Sequence, residues 1–354
     1  MHLIEKILVI RLSSLGDVVL TTPAIKSLKQ KFPQSQIFFL AKSQYRDVLK
    51  NDPNIFSFIE FDPFEKHRGV LGFVKLLKEL KSLNFDVVID LHANLRSFFI
   101  RHLLKAKIKI KYDKRRLARF LLVYLKFLKV KSIHTLDLYL ETLKKVGVDS
   151  VEKEPKIFLD QESENFLKDF LIEKKIEKDD IVVGIHPGAR WETKRWPEER
   201  FAKVCQILNQ KPKFKIVLFG DQKDQKAVES ISSRAEDQNL LKTGNLPLDK
   251  FMSLIKRCDC FVTNDSGPMH IASALGVPVV AIFGPTHPKL GFFPLGSKNV
   301  VLTANVKCSP CSLHGEKRCY KKSRYCMDLI EPEMVTDAVE RLLEKTISSR
   351  KGLD

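Results

Sequence analysis

The stretch FVTNDSGPMHIASALGVPVVAIFGPT at 261–286 constrains this chain most, because it runs from apolar strand through polar loop and helix to a second apolar strand. Asn264 and Asp265 close the first apolar run, Ser266 and Gly267 suit a cap or a close approach, and Pro268 suits the first turn of the helix. A helix begun this way aims free N–H groups and a partial positive charge at whatever precedes it, and the natural guest is a phosphate. A well-capped turn with no ligand is the alternative that this segment leaves open.

A second stretch, EKILVIRLSSLGDVVLTTPAIKSLKQKF at 5–32, repeats the plan: an apolar strand over 7–10, then Ser13, Ser14, Gly16 and Asp17, then a helix. In α/β sheets ligands bind outside the carboxyl ends of the strands, so Asp17 sits where a catalytic carboxylate can face a bound donor. Asp is also a frequent helix N-cap, and the pattern alone favours that role.

Strand and helix patterns alternate up to LNFDVVIDLHANLRS at 83–97, and the chain then turns helical and basic through 135–148. Alternation restarts with IVVGIHP at 181–187 and continues through KIVLFG at 215–220. The expectation is an α/β chain of two Rossmann-like, doubly wound domains facing a central cleft. They cover 1–155 and 156–335, with a crossing over 149–160. A final helix and tail, 336–354, is expected to pack back on the first domain. The 354 residues exceed what one core usually serves, and 44% apolar residues can fill two.

Three segments together, RLSSLGDVVLTTPAI at 11–25, HPGARWETKRWPEERF at 186–201 and NDSGPMHIASALGVPVVAIFGPT at 264–286, resemble the ADP-heptose:lipopolysaccharide heptosyltransferases, in that family's order, over about 6–340. The resemblance implies a GT-B glycosyltransferase that moves heptose from ADP-heptose to a phosphorylated Kdo-lipid A core acceptor, with no cofactor required for catalysis. It is most similar to the members that add the second heptose. A sister transferase adding the first or a later heptose, and a non-catalytic nucleotide-sugar or nucleic-acid binding protein, are the alternatives.

On that resemblance Asp17 is the base for the acceptor hydroxyl, and with no second carboxylate evident as nucleophile a single inverting displacement is the simpler mechanism. Lys194, with Arg195 beside it, stabilises the departing diphosphate. Ser13, Ser14, Gly16, Ser266, Gly267 and His270 belong to the donor side. Asp265 would repel a diphosphate and is matched instead to a heptose hydroxyl. Asp224 in GDQKD suits ribose hydroxyls, and Thr243, Gly244 and Leu246 suit the adenine through backbone groups. On the acceptor side stand His92 and Arg96, with Lys114, Arg115 and Arg116. Many relatives carry Gln-Gly where this chain has His92-Ala93.

The net charge of +18 asks for a polyanionic partner. Residues 101–131 hold twelve Lys/Arg against one Asp, interleaved with apolar residues, which suits an anionic bilayer; a solvated core helix fits the composition equally well. No nucleic-acid recognition module is recognisable, so nucleic acid is not an expected partner. With neither a leader pattern nor an apolar run of spanning length the chain is expected to stay in the cytoplasm, and the resemblance implies a peripheral place on the inner face of the inner membrane. Four of seven cysteines, Cys308, Cys311, Cys319 and Cys326, are spaced compatibly with a small structural zinc site, reduced thiols being the alternative.

Overall fold

The computed structural model describes residues 4–125, 131–149, 152–236 and 240–351. The chain divides into two units, Met1–Arg116 with Ile133–Phe158, and Leu117–Ser132 with Leu159–Asp354. The division falls close to the expected crossing, except that 117–132 goes with the second unit.

The first unit is built on a parallel sheet of β1 (Lys6–Ile10), β2 (Gln36–Lys42), β3 (Ser57–Phe61), β4 (Val87–Asp90) and β5 (Ile108–Lys111), in the order β3-β2-β1-β4-β5. The central strands read as unbroken apolar runs because helices cover both faces and no position meets water: Ile7, Leu8, Val9 and Ile10 are all fully buried. One face packs Leu8, Ile10, Phe38, Leu40 and Val88 against Leu76, Leu77 and Leu80 of the helix Gly69–Ser82 and Ile100 of the helix Leu95–Leu103. Asp86 clamps the entry of β1, its carboxylate accepting from the backbone N–H groups of Glu5 and Lys6 at 2.9 and 3.1 Å.

The second unit repeats the design with β6 (Ile181–His186), β7 (Phe214–Leu218), β8 (Leu241–Lys242), β9 (Cys260–Asn264), β10 (Val279–Phe283) and β11 (Asn299–Thr303), all parallel and ordered β11-β10-β9-β6-β7-β8. Asp259 mirrors Asp86, accepting from Val182 N at 2.9 Å and from Arg257 Nη1 at 3.0 Å.

In both sheets the first strand lies inside the order, and the chain winds outward first on one side of it and then on the other. That places a topological switch point between β1 and β4 and another between β6 and β9, where neighbouring connections part and leave room at the carboxyl ends for a ligand.

The C-terminal helix Pro332–Lys351 packs Val335, Ala338, Val339, Leu342 and Leu343 into the core of the second unit. The apolar spacing of these five residues matches the surface offered by the helix Glu198–Asn209 and strands β9 to β11. The basic stretch 101–131 holds the end of one helix, β5, and the helix Arg116–Tyr124, and 126–130 lie outside the described residues.

Gly184 in β6 marks the tightest point of the second core: a Cβ there would lie 2.7 Å from the Phe261 ring, 2.8 Å from Cys258 Sγ and 2.9 Å from the Phe219 ring. Gly184→Ala should therefore cost about 1–3 kcal/mol through overpacking, seen as a lower urea midpoint. An unchanged midpoint would mean that this core yields more easily than its contacts imply.

Candidate functional site

At the first switch point, Ser14 caps a short helix, Leu15–Val19, and Asp17 is its third residue. The capping role considered for Asp17 thus belongs to Ser14, whose N–H and hydroxyl both donate to Asp17 Oδ2, at 3.1 and 2.7 Å. Arg11, at the end of β1, places Nη2 2.6 Å from the same oxygen and donates through Nη1 to Leu91 O at 2.6 Å. Tyr139 lies under the Arg11 guanidinium, 5.7 Å from it, and its hydroxyl reaches Asp17 Oδ1 at 3.4 Å.

Oδ2 is thereby saturated, while Oδ1 keeps only one long contact. Burial alone would raise the Asp17 pKa, but the Arg11 charge and the Ser14 hydrogen bonds overcome it and hold the carboxyl at about 2.

His92 and Lys114 join this cluster. Burial, then the charges of Arg11 and Lys114, lower the His92 pKa to about 3, so the ring is neutral at physiological pH. Burial and the charges of Arg11 and Arg116 bring Lys114 down to about 8. Asp90 organises the loop after β4 by accepting from the N–H groups of His92 and Ala93, at 3.0 and 2.7 Å, and from the Ser97 hydroxyl at 2.9 Å. Arg116 Nη2 donates to Ala93 O at 3.3 Å. Arg11 Nε and His92 Nδ1 are buried without a hydrogen-bond partner among the described residues, a condition that water or a ligand normally relieves.

The structure does not bring every proposed acceptor residue here. Arg96 lies over the Phe61 ring at 5.0 Å, and the Arg115 N–H donates to Asp113 at 2.8 Å.

At the second switch point, Lys194 Nζ lies 2.7 Å from Asp265 Oδ2, which also accepts from the Thr286 hydroxyl at 2.6 Å. Trp196 fixes this loop from below: its ring is buried against Phe201, its Nε1 donates to Ile330 O at 3.0 Å, and its backbone N–H donates to Asn264 Oδ1 at 3.1 Å. Asn264 in turn donates to Pro187 O at 2.7 Å, tying the loops after β6 and β9 together. The helix Gly267–Ala274 starts at Ser266, whose side chain makes no cap hydrogen bond, and it carries Pro268 in its first turn and buried His270 one turn in. Ser266 instead meets the Thr263 hydroxyl at 3.2 Å, so the first N–H groups of the helix remain uncapped by it.

Asp224 was matched to ribose hydroxyls, yet in the structure its carboxylate is engaged by protein. Arg195 Nη2 lies 3.1 Å from Oδ1, and His186 Nε2 lies 3.6 Å from Oδ2. Burial would raise its pKa, and His186 and Arg195 together lower it. Gly188 packs so closely that a Cβ would lie 2.1 Å from Oδ2, which explains a glycine in HPGAR. Arg195 also donates from Nε to Ala189 O at 3.0 Å. Thr243 is buried at the end of β8, with exposed Gly244 and half-buried Leu246 following it.

The four clustered cysteines are free thiols, and among the described residues no group of three or more His, Cys, Asp or Glu is arranged to hold a metal ion, so the zinc reading gains no support. Burial first, and then Cys311, Cys308 and Cys319, push the Cys326 thiol up to about 12, so it stays protonated. Hydrogen bonds hold this loop: Ser309 Oγ donates to Gly284 O at 2.7 Å and Cys311 N to Pro285 O at 2.8 Å.

Residues 73–321 match the family glycosyltransferase family 9 (heptosyltransferase). The chain belongs to that family. It is accordingly a glycosyltransferase. Among similar proteins is the lipooligosaccharide heptosyltransferase 2 of Campylobacter jejuni, 29% identical over 340 residues that span 94% of this chain and 96% of that protein. The lipooligosaccharide heptosyltransferase 2 of Haemophilus ducreyi is 28% identical, over 96% of this chain and 99% of its own. A family 9 transferase from Veillonella parvula superposes with a TM-score of 0.84 at 27% identity, covering 96% of this chain and 98% of that one. The E. coli ADP-heptose heptosyltransferase II superposes with a TM-score of 0.72 at 23% identity over 96% and 99%, a likeness of fold.

Sequence reasoning on this family 9 chain missed Arg11, Tyr139, Asp90, His186 and Thr286. Arg11 carried a signal, since it opens the RLSSLGD motif as the one charged residue at the end of an apolar strand. Tyr139 carried none, lying 122 positions from the carboxylate it touches.

The Arg11–Asp17 pair yields a stability test. Removing the cation by Arg11→Met strands a buried carboxylate and should cost about 3–5 kcal/mol at neutral pH by urea unfolding, most of it regained in Arg11→Met/Asp17→Asn. Because the folded pKa of Asp17 is depressed, the stabilisation stands in full above the unfolded value of about 3.9 and is lost as pH falls through about 2. The double variant should lack that acid-side loss, and an equal loss in both proteins would assign it to other groups.

Proposed function

We propose that this chain transfers L-glycero-D-manno-heptose from ADP-heptose to a phosphorylated Kdo-lipid A core acceptor, adding the second heptose of the lipopolysaccharide inner core with inversion. The single observation that carries this reading is Asp17, a buried, ionised carboxylate with one oxygen fully used by Arg11 and Ser14 and the other turned to a long contact only. The relatives named heptosyltransferase 2 support the choice of donor and position.

Asp17 Oδ1 accepts the proton of the acceptor hydroxyl as that oxygen attacks the anomeric carbon. A carboxylate held near a pKa of 2 is a weak base, so it takes the proton late, as the hydroxyl acidifies in the transition state. Lys194, and the helix start at Gly267, stabilise the departing diphosphate, with Arg195 steadied by Asp224 alongside. Lys114, Arg116 and neutral His92 form the acceptor end, where cations and an unpartnered ring nitrogen suit phosphate and hydroxyl groups. A peripheral place on the inner face of the inner membrane fits an acceptor anchored in lipid. Among the described residues no helix is long and apolar enough to cross a membrane.

Incubation with ADP-heptose and each candidate core acceptor, with the products identified by mass, tests the reading. Transfer to the acceptor that already bears one heptose is expected, unaffected by chelators. Asp17→Asn should lower turnover about 10²- to 10⁴-fold with ADP affinity nearly intact. Near-normal turnover in this variant would remove Asp17 from the chemistry.

Lys114 supplies a pH test. It is protonated below its lowered pKa and loses its charge as pH rises through about 8, so kcat/KM for the acceptor should fall over that range. Lys114→Arg should keep its charge and abolish that limb, and a limb that persists in the Arg variant would belong to another group.

A further inference from the structure

The helices Gly69–Ser82 and Leu95–Leu103 both sink apolar residues into the core on one face of the first sheet. Their opposite faces therefore look outward together. Those faces are not polar. On the first helix Val70, Leu71 and Val74 are exposed, Leu71 at 86%. On the second, Leu95, Phe98, Phe99 and Leu103 are exposed at positions i, i+3, i+4 and i+8, a continuous apolar stripe pointing away from the core. Contacts between the helix starts bind them into one surface, since Arg96 lies over Phe61 and Phe61 stacks on His67, two residues ahead of Gly69. Soluble proteins rarely leave such a patch uncovered.

The charge around it selects the cover. Residues 64–111 hold eleven Lys/Arg against four Asp/Glu. Of those four, Asp90 is fully buried, Glu79 is paired with Lys66, and Asp86 is spent on the β1 backbone. Lys75 and Lys78 fall on the outward side of the first helix, and Lys105, Lys107, Lys109 and Lys111 follow the second.

We propose that this face docks the first unit on an anionic lipid bilayer, with Leu71, Leu95, Phe98 and Phe99 entering the headgroup–acyl boundary and the lysines meeting lipid phosphates. The inference rests on the reading that the acceptor is held in a membrane, and it centres the contact on an apolar face to which the start of the basic stretch, 103–111, contributes. Apolar insertion and electrostatic attraction are separable, because only the second is screened by salt: the Debye length shrinks from about 10 Å at 0.1 M to about 3 Å at 1 M.

The test uses the full-length protein with phosphatidylethanolamine–phosphatidylglycerol vesicles, scored by flotation. Binding is expected, weakened but not abolished in high salt, and a Leu71→Trp variant should gain fluorescence that brominated acyl chains quench. Leu71→Glu and Phe99→Glu should each weaken vesicle binding about tenfold or more while leaving transfer to a short soluble acceptor within about twofold of the parent. Binding that is absent, or unchanged in the double Glu variant, would overturn the proposal. So would a dimer in light scattering that Leu71→Glu dissolves, since a second copy would then be the cover. For the parent protein, transfer to the soluble acceptor without vesicle binding would overturn docking alone, and vesicle binding without any transfer would overturn the catalytic reading alone.

Discussion

Three ion pairs at contact distance anchor the two working corners: Arg11 with Asp17, Lys194 with Asp265, Arg195 with Asp224. Parallel sheets force this. Their strand ends are the one place where functional groups can gather, and those ends are walled by apolar strands and helices. An unpaired ion there would neutralise itself by shifting its pKa. Pairing keeps Asp17 ionised against its burial, and it keeps Asp224 ionised in the same way. The same pairs set side-chain direction, so the ion pairs serve as geometry as much as energy.

The supporting residues show how the scaffold holds that geometry. Asp86 and Asp259 fix where each central strand enters its sheet, and Arg11 and Asn264 fix what happens where strands leave. Trp196 joins the Lys194 loop to the hydrophobic core through ring packing and two hydrogen bonds, so the cation is positioned by buried structure although it sits in a loop. A fully buried aromatic next to a loop cation loses little entropy when the loop is used, because the order is already present in the folded state.

Local pattern made much of this legible. Apolar runs ending in polar, glycine-bearing loops marked β1, β6 and β9, and Asp17, Lys194 and Asp265 stood out because each follows such a run by a few residues. What failed was anything that depends on which distant segments meet. Tyr139 reaches Asp17 across the fold, and the C-terminal helix chose its partner by surface shape that no window of sequence contains. The partners of Asp224 were hidden for a related reason: an acidic residue after a strand looks open until the arginine and histidine beside it are seen. Composition over 101–131 gave the charge but not the elements, since a helix end, the edge strand β5 and the helix Arg116–Tyr124 share it.

The contact between Lys194 and Asp265 has a consequence for the end of the catalytic cycle. On the proposed donor placement, a diphosphate arriving at Lys194 must share or displace a carboxylate that the protein itself supplies, with Thr286 holding that carboxylate in readiness. The spent nucleotide leaves behind a cation whose replacement counter-ion is already in place, 2.7 Å away. Departure is then an exchange of anions rather than the uncovering of a bare charge in a dry corner, and the free-energy well that a lone lysine would dig for the leaving nucleotide is made shallower in advance.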